Sequence, residues 1–265
     1  MTQLLIDIGN SRIKWALLRG TRLGKQQAVT LAEFPHFELW LRRAPRLSAI
    51  HAVCVAGTRV EGQLRAALKR CKQPAPQFAR SSPAAAGVTN GYREAWRLGA
   101  DRWVAAIGAW HLAGAKRAVC AVDVGTALTV DLVDATGQHR GGLIAPGPQL
   151  MVRSLLDNTG GIAVRAVGKP QRTLKGRHIR SAAVRPLADN TLDAIELGSL
   201  LAAVALVDRC IHELHRSLGE PPLVFLTGGA ARQLAPVIGS DLRICEDLVL
   251  RGLMVLATPP DTLKA

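Results

Sequence analysis

Aromatic side chains are scarce: Phe, Tyr and Trp together make up 4% of 265 residues. The core must therefore rest on Leu, Val, Ile and Ala. Long apolar runs are missing too. The longest lies within Leu197 to Val207, short of the ~20 residues that cross a bilayer. Asp7, Arg12 and Lys14 interrupt the one apolar stretch near the N-terminus, so no secretory leader is expected. A soluble, cytoplasmic protein is expected, with no membrane partner. Five cysteines stand singly, with no CxxC pair and no His/Cys cluster. That excludes a disulfide framework and a structural zinc site, and leaves reduced thiols as the expectation. The sequence has no GxxxxGK[ST] and no GxGxxG after a strand, so the P-loop and dinucleotide-binding signatures are absent. His212-Glu213-Leu214-His215 is one residue short of a zinc-protease helix and reads as a solvated helical face.

Acidic residues are few, 20 Asp+Glu against 34 Lys+Arg, for a formal net charge of +14. Part of the excess is local: Arg165, Lys169, Arg172, Lys175, Arg177, Arg180 and Arg185 occur with no acidic residue among them. No aromatic interleaves there, so the stacking platform of a single-strand binder is missing. A solvated loop ranks first for this segment, an anion-attracting site second, nucleic acid last. Apolar residues at 48% and charged residues at 20% exclude disordered and fibrous classes.

Leu4 to Ile8 reads as a buried strand, turning at Gly9-Asn10 into a second strand, Arg12 to Leu18. Helical patterns at Leu31 to Arg43 and Thr58 to Cys71 flank an apolar strand at Ala49 to Ala56, and a further helix is predicted over Ala100 to Leu112. The opening pattern then returns. Ile6-Asp7-Ile8-Gly9-Asn10-Ser11 and Val122-Asp123-Val124-Gly125-Thr126-Ala127 both read apolar-Asp-apolar-Gly-polar-small, with their aspartates 116 positions apart. Such spacing predicts a duplicated α/β fold with a boundary near Lys116, giving domains over 1–116 and 117–265. The second half continues with a strand at His139 to Ala145, a turn at Pro146-Gly147-Pro148 and the basic segment. A long helix over Leu192 to Leu218 follows, capped by Asn190 or Thr191. Leu223 to Leu226 forms a core strand into Thr227-Gly228-Gly229, and helices at Ala230 to Val237 and Asp247 to Leu256 close the chain.

Each Asp-x-Gly turn has a chemical use. Glycine lets a phosphate approach the backbone, whose N–H groups face the concavity. Asn10, Ser11 and Thr126 add donors, and Lys14 adds a cation. Asp7 and Asp123 at strand ends suit a cation or its water shell, since Mg²⁺ takes one or two carboxylates plus waters and phosphates. Ordinary hairpin turns are the alternative for either copy alone. Gly99-Ala100-Asp101-Arg102-Trp103 is a second constellation. A carboxylate beside an arginine at a helix start can act as base and anion clamp, or only as helix-end charge with a local ion pair.

These residues resemble the type III pantothenate kinases. Asp7-Ile8-Gly9-Asn10-Ser11-Arg12-Ile13-Lys14 resembles their first phosphate motif, and Asp123-Val124-Gly125-Thr126-Ala127-Leu128-Thr129-Val130-Asp131 their second. Asn90-Gly91-Tyr92, Gly99 to Trp103, Gly141 to Gly147 and Thr227-Gly228-Gly229 also match, in family order. The resemblance spans nearly the whole chain. It implies an α/β fold of two related ribonuclease-H-like (actin-like ATPase) domains, with mixed sheets flanked by helices and enclosing ATP. The implied reaction is transfer of the ATP γ-phosphoryl group to the hydroxyl of pantothenate, opening coenzyme A synthesis. It implies that Asp101 is the general base. Tyr92, Gly99, Ala100, Asp101, Arg102 and Thr191 would bind pantothenate; Asp7, Ile8, Gly9, Asn10, Ser11, Arg12, Ile13, Lys14 and Thr126 would bind the nucleotide, with Mg²⁺. Asp123 would hold a monovalent cation, K⁺ or NH₄⁺. A homodimer is implied as well. The sequence departs from the family pattern at Ala188-Asp189-Asn190-Thr191, which lacks a glycine two residues before the Asn-Thr pair.

Two rival readings share these features. An actin-like ATPase would keep the phosphate turns but would not need the constellation at Gly99 to Arg102. A regulatory nucleic-acid-binding protein on a kinase fold would account for the charge, and would show steep salt dependence.

Overall fold

The computed structural model describes residues 2–166, 187–238 and 241–258. The elements in chain order open with β1 (Thr2–Ile8), β2 (Arg12–Arg19), β3 (Arg22–Leu23), β4 (Gln27–Thr30), α1 (Phe34–Arg43), β5 (Ala49–Cys54) and α2 (Thr58–Arg70). Next come β6 (Pro76–Phe78), β7 (Ala84–Ala85), β8 (Val88–Thr89), α3 (Ala100–Leu112), β9 (Val119–Val124), β10 (Ala127–Val133) and β11 (His139–Pro146). The chain continues with α4 (Pro148–Asn158), α5 (Gly160–Ala166), α6 (Thr191–Leu218), β12 (Leu223–Thr227), α7 (Ala231–Leu234), β13 (Leu242–Ile244) and α8 (Leu248–Ala257).

Among the described residues the larger sheet has the order β3-β2-β1-β5-β6, with β4 also on β2; the second sheet has the order β11-β10-β9-β12-β13. With the extra strand β4 left out, numbering the strands within each sheet gives the same order, 3-2-1-4-5, in both. The repeat of the two Asp-x-Gly motifs is thus a repeat of topology. In the first sheet β1 pairs antiparallel with β2 and parallel with β5. In the second, β12 pairs parallel with β13, as β5 does with β6. This is the repeated mixed-sheet α/β architecture that the sequence resemblance implies.

The chain divides into two compact units. One comprises Met1–Val119, Asp131–Gly141 and the segment from Asp247; the other comprises Cys120–Val130 and Gly142–Glu246. In the first unit Leu4, Ile6, Ile8 and Ile13 pack with Phe37, Leu41 and Leu64. In the second, Val122, Val124, Val204, Val207, Leu226 and Leu234 form an aliphatic core. The scarcity of aromatics shows there.

Two helices matter for the sites. α3 starts at Ala100, after Gly99, and is buried from Arg102 to Trp110. It crosses α8 backbone to backbone. A Cβ on Gly108 would lie 2.8 Å from Gly252 N and Leu248 O, and one on Gly252 would run into Val104 O. The long helix α6 is capped by Asn190, whose Oδ1 accepts from Asp193 N at 3.0 Å, and ends on Gly219 in the left-handed conformation.

Some local expectations need correction. The stretch from Leu31 begins as a 3₁₀ turn, Leu31–Glu33, before α1. The turn at Pro146-Gly147-Pro148 opens α4, with Pro148 at its first position, where a missing N–H costs nothing. The helix expected over Ala230 to Val237 is limited to four residues, Ala231–Leu234. Of the basic stretch, Lys169 to Arg185 lies outside the described residues; Arg165 sits in α5, donating to Gly161 O at 3.0 Å.

Candidate active site

The first glycine turn joins β1 and β2, whose register sets Asp7 opposite Lys14 and Ile8 opposite Ile13. The Gly9 N–H donates to Arg12 O at 3.0 Å and closes the turn. Asn10, Ser11 and Arg12 are exposed at its tip. Ile8 and Ile13 are fully buried, so only their backbone is left to face a ligand. Lys14 Nζ lies 3.8 Å from Asp7 Oδ2, a long pair between a buried aspartate and a partly exposed lysine. A cation held this loosely remains able to meet a phosphate.

The second turn joins β9 and β10. Its Gly125 N–H donates to Ala127 O at 3.0 Å, and Thr126 is exposed at the tip. Two further glycines close on it. Gly147 donates to Thr126 O at 2.9 Å, and a Cβ there would collide with Gly125 O. Gly228, at φ +95°, approaches so closely that a Cβ would meet the Asp123 carboxylate and Val124 O. The donors gathered here, a carboxylate and peptide oxygens, suit a hard cation. No group of three or more His, Cys, Asp or Glu that could enclose a metal occurs among the described residues. That donor set suits an ion that keeps waters and substrate oxygens.

The third cluster surrounds the start of α3. Asp101 lies in the first helical turn, half-buried, and its Oδ1 accepts from Arg102 N at 2.8 Å. Burial raises the Asp101 pKa above the ordinary aspartate value, against the lowering effect of the Arg102 N–H and guanidinium. The Arg102 guanidinium is not limited to a local pair with Asp101. It forms a buried fork with Asp131 of β10, Nε to Oδ2 at 2.8 Å and Nη2 to Oδ1 at 2.7 Å. Its Nη1 donates to Tyr92 Oη at 3.0 Å, and its charge lies 5.8 Å from the centre of that ring. Asn90 shapes the Tyr92 turn: its Oδ1 accepts from Tyr92 N at 2.9 Å, while its Nδ2 reaches Ser82 O and Ala95 O. His139 of β11, fully buried, sets Nε2 3.0 Å from Asp131 Oδ1.

Of the residues expected to form a site, Tyr92, Asp101 and Arg102 are thus brought together, as are Asp7 and Lys14. Thr191 is the first residue of α6, half-buried behind its Asn190 cap. Sequence reasoning missed Asp131 and His139 as members of the Arg102 cluster. The alternation of β10 puts Asp131 on one face with Thr129 and Val133, but nothing local marks an arginine 29 residues away as its partner.

The repeated topology, the two glycine turns and the half-buried carboxylate at a helix start fit an ATP-dependent phosphotransferase of the actin-like class. The family profile of the type III pantothenate kinases matches residues 3–213. The chain belongs to that family. Type III pantothenate kinases from Methylibium petroleiphilum and Aromatoleum aromaticum are 36% and 37% identical to it; these matches cover 97% and 96% of this chain and 98% and 97% of those relatives. Among solved structures, a protein described as a Baf family transcriptional activator from Campylobacter jejuni aligns with a TM-score of 0.52 at 20% identity, over 94% of both chains. The ethanolamine utilization protein EutJ from Carboxydothermus hydrogenoformans aligns with a TM-score of 0.53 at 9% identity, over 97% of this chain and 90% of that one. These two likenesses bear on the fold alone.

Proposed function

We infer that the protein is a pantothenate kinase, transferring the γ-phosphoryl group of ATP to the 4′-hydroxyl of pantothenate and so opening coenzyme A synthesis. Family membership over residues 3–213 carries this reading. The half-buried Asp101 carboxylate beside Arg102 and Tyr92 supports it, because phosphoryl transfer to an alcohol needs a positioned base and an oriented acceptor.

In this reading Asp101 takes the proton of the attacking hydroxyl as the new O–P bond forms, and the bond to the ADP oxygen breaks. Its raised pKa brings its basicity nearer the working pH. Tyr92, Gly99, Ala100, Arg102 and Thr191 receive pantothenate. The segment Asp7 to Lys14 and Thr126 receive the phosphates through turn amides, hydroxyls and the Lys14 ammonium. Mg²⁺ and a monovalent cation, when bound, offset phosphate charge; Asp7 and Asp123 are the carboxylates suited to them. The evolutionary halves divide near Lys116.

A cytoplasmic homodimer completes the proposal. No helix among the described residues is long and apolar enough to cross a membrane. Pro146, Leu150, Leu155 and Ile195 line an apolar recess of about 630 Å³ formed by α4 and α6, and Leu143 and Ile144 are exposed nearby in the chain. Such a face suits a second copy. Light scattering should return twice the 28.3 kDa chain mass.

The deciding experiment is ADP release by purified protein with ATP and Mg²⁺, with and without pantothenate, in potassium and in sodium buffer. Pantothenate-dependent release, faster in potassium, is expected. Release indifferent to pantothenate would make the protein an ATPase, and equal rates in the two salts would remove the cation role of Asp123.

A further inference from the structure

A closed ring of hydrogen bonds stands behind Tyr92 and Arg102. The Gly91 N–H donates to Nδ1 of His139 at 3.4 Å. An amide N–H can only donate, so Nδ1 presents its lone pair and the imidazole proton sits on Nε2. Nε2 then donates to Asp131 Oδ1 at 3.0 Å. Asp131 receives Nε and Nη2 of Arg102, and Nη1 of Arg102 reaches Tyr92 Oη. The peptide bond between Gly91 and Tyr92 closes the circuit. His139 is 0%, Asp131 2% and Arg102 6% exposed, so water does not compete for these bonds.

A buried ion pair is a costly way to hold a fold together, because well-packed apolar residues of similar volume often stabilise as much or more. What a bidentate fork does supply is geometry: it fixes the plane of the guanidinium. Here the fork occupies the Nε edge of Arg102 and directs Nη1 to Tyr92. His139 meanwhile ties the Tyr92 turn to the same carboxylate through the Gly91 amide. Both substrate-facing groups are therefore referred to Asp131.

We propose that Asp131 and His139 are positioning residues that hold the Arg102 guanidinium and the Tyr92 ring in the arrangement that receives pantothenate. This rests on the kinase reading above, in which Tyr92 and Arg102 face that substrate. Neither Asp131 nor His139 touches the reacting atoms. Their effect is on acceptor recognition and not on the nucleotide.

Three variants of the full chain at His139 separate the two halves of the ring. His139→Gln can keep the donor to Asp131 while losing the acceptor for Gly91. His139→Asn can keep the acceptor and lose the donor. His139→Phe removes both and fills a similar volume. The expected result is a rise of about tenfold or more in KM for pantothenate in His139→Phe, with smaller rises in the other two. KM for ATP and kcat should stay within about twofold of wild type. Pantothenate affinity measured by calorimetry should fall by the same factor as KM rises. Should His139→Phe fail to fold, the Gln and Asn variants decide alone. Equal losses toward ATP and pantothenate, or Gln and Asn variants indistinguishable from wild type, would overturn the proposal while wild-type kinase activity stands. A wild type without pantothenate-dependent ADP release would overturn the kinase reading and this inference together.

Discussion

A methyl group added at Gly9 would find its nearest neighbour, Arg12 O, at 3.8 Å; added at Gly228, it would run into the Asp123 carboxylate and Val124 O. Both glycines belong to the surroundings of an Asp-x-Gly turn, and the two turns share their sequence pattern. The first is open, with three exposed residues at its tip and a loose Asp7–Lys14 pair. The second is closed from two sides by Gly147 and Gly228. Under the kinase reading proposed above, the open turn leaves room for a polyanion to come and go, and the turn packed with oxygens is the one suited to a small cation in fixed geometry.

That contrast can be broken from outside both turns. If each turn only binds, the largest catalytic loss must come from the base, and Asp101→Asn should lower kcat about 10²–10⁴-fold, or ~3–5 kcal/mol of barrier, by steady-state kinetics. Because burial raises the Asp101 pKa, the acid limb of the pH–rate profile should lie above that of an ordinary aspartate. The same shift has a stability sign. The fold favours the protonated acid, so the contribution is present below the unfolded-state pKa and is lost as pH rises through the folded one. Asp101→Asn should therefore melt slightly higher than wild type at neutral pH while losing turnover.

Within the turns, Gly228→Ala should cost about 2–4 kcal/mol in denaturant unfolding, from its positive φ and the overlap with Asp123. It should also abolish any preference for potassium over sodium. Lys14→Ala should raise KM for ATP about tenfold, yet change stability by less than about 1 kcal/mol, because its ion pair is long at 3.8 Å and its ammonium is partly exposed. Gly9→Ala is expected to be the mildest in unfolding, within about 1 kcal/mol. Equal destabilisation by Gly9→Ala and Gly228→Ala would remove the distinction between the open and the closed turn.

The outline of the fold was legible because its signals are local and strong. α3 runs over Ala100–Leu112, as its apolar pattern after Gly99 predicts, and β2 over Arg12–Arg19, one residue beyond the strand predicted over Arg12 to Leu18. The Asp-x-Gly repeat marks the start of two sheets with one strand order. Weak or divided signals were lost. The strands β3, β7 and β8 are two residues each, too short for any period to register. Pro146-Gly147-Pro148 reads equally as a turn, and proline at a first helical position is also the start signal that α4 uses. At the site, Asp101 and Arg102 stand out by adjacency, and adjacency is what misleads about the guanidinium. Its partner, Asp131, is supplied by a strand of a different sheet segment and becomes visible only when the chain is folded.

The contact of α3 with α8 at Gly108 and Gly252 sets an order of events during synthesis. These glycines are 144 positions apart. At ~5–20 residues per second, the ribosome needs roughly 7–30 s to supply the second after the first. Throughout that interval the nascent first unit has most of its strands and no α8, so the groove at Gly108 waits open while the intervening 120–246 emerge. The first unit to be translated is therefore the last to be finished. A chain released before Asp247 would leave it without the helix that seals Val104 and Gly108.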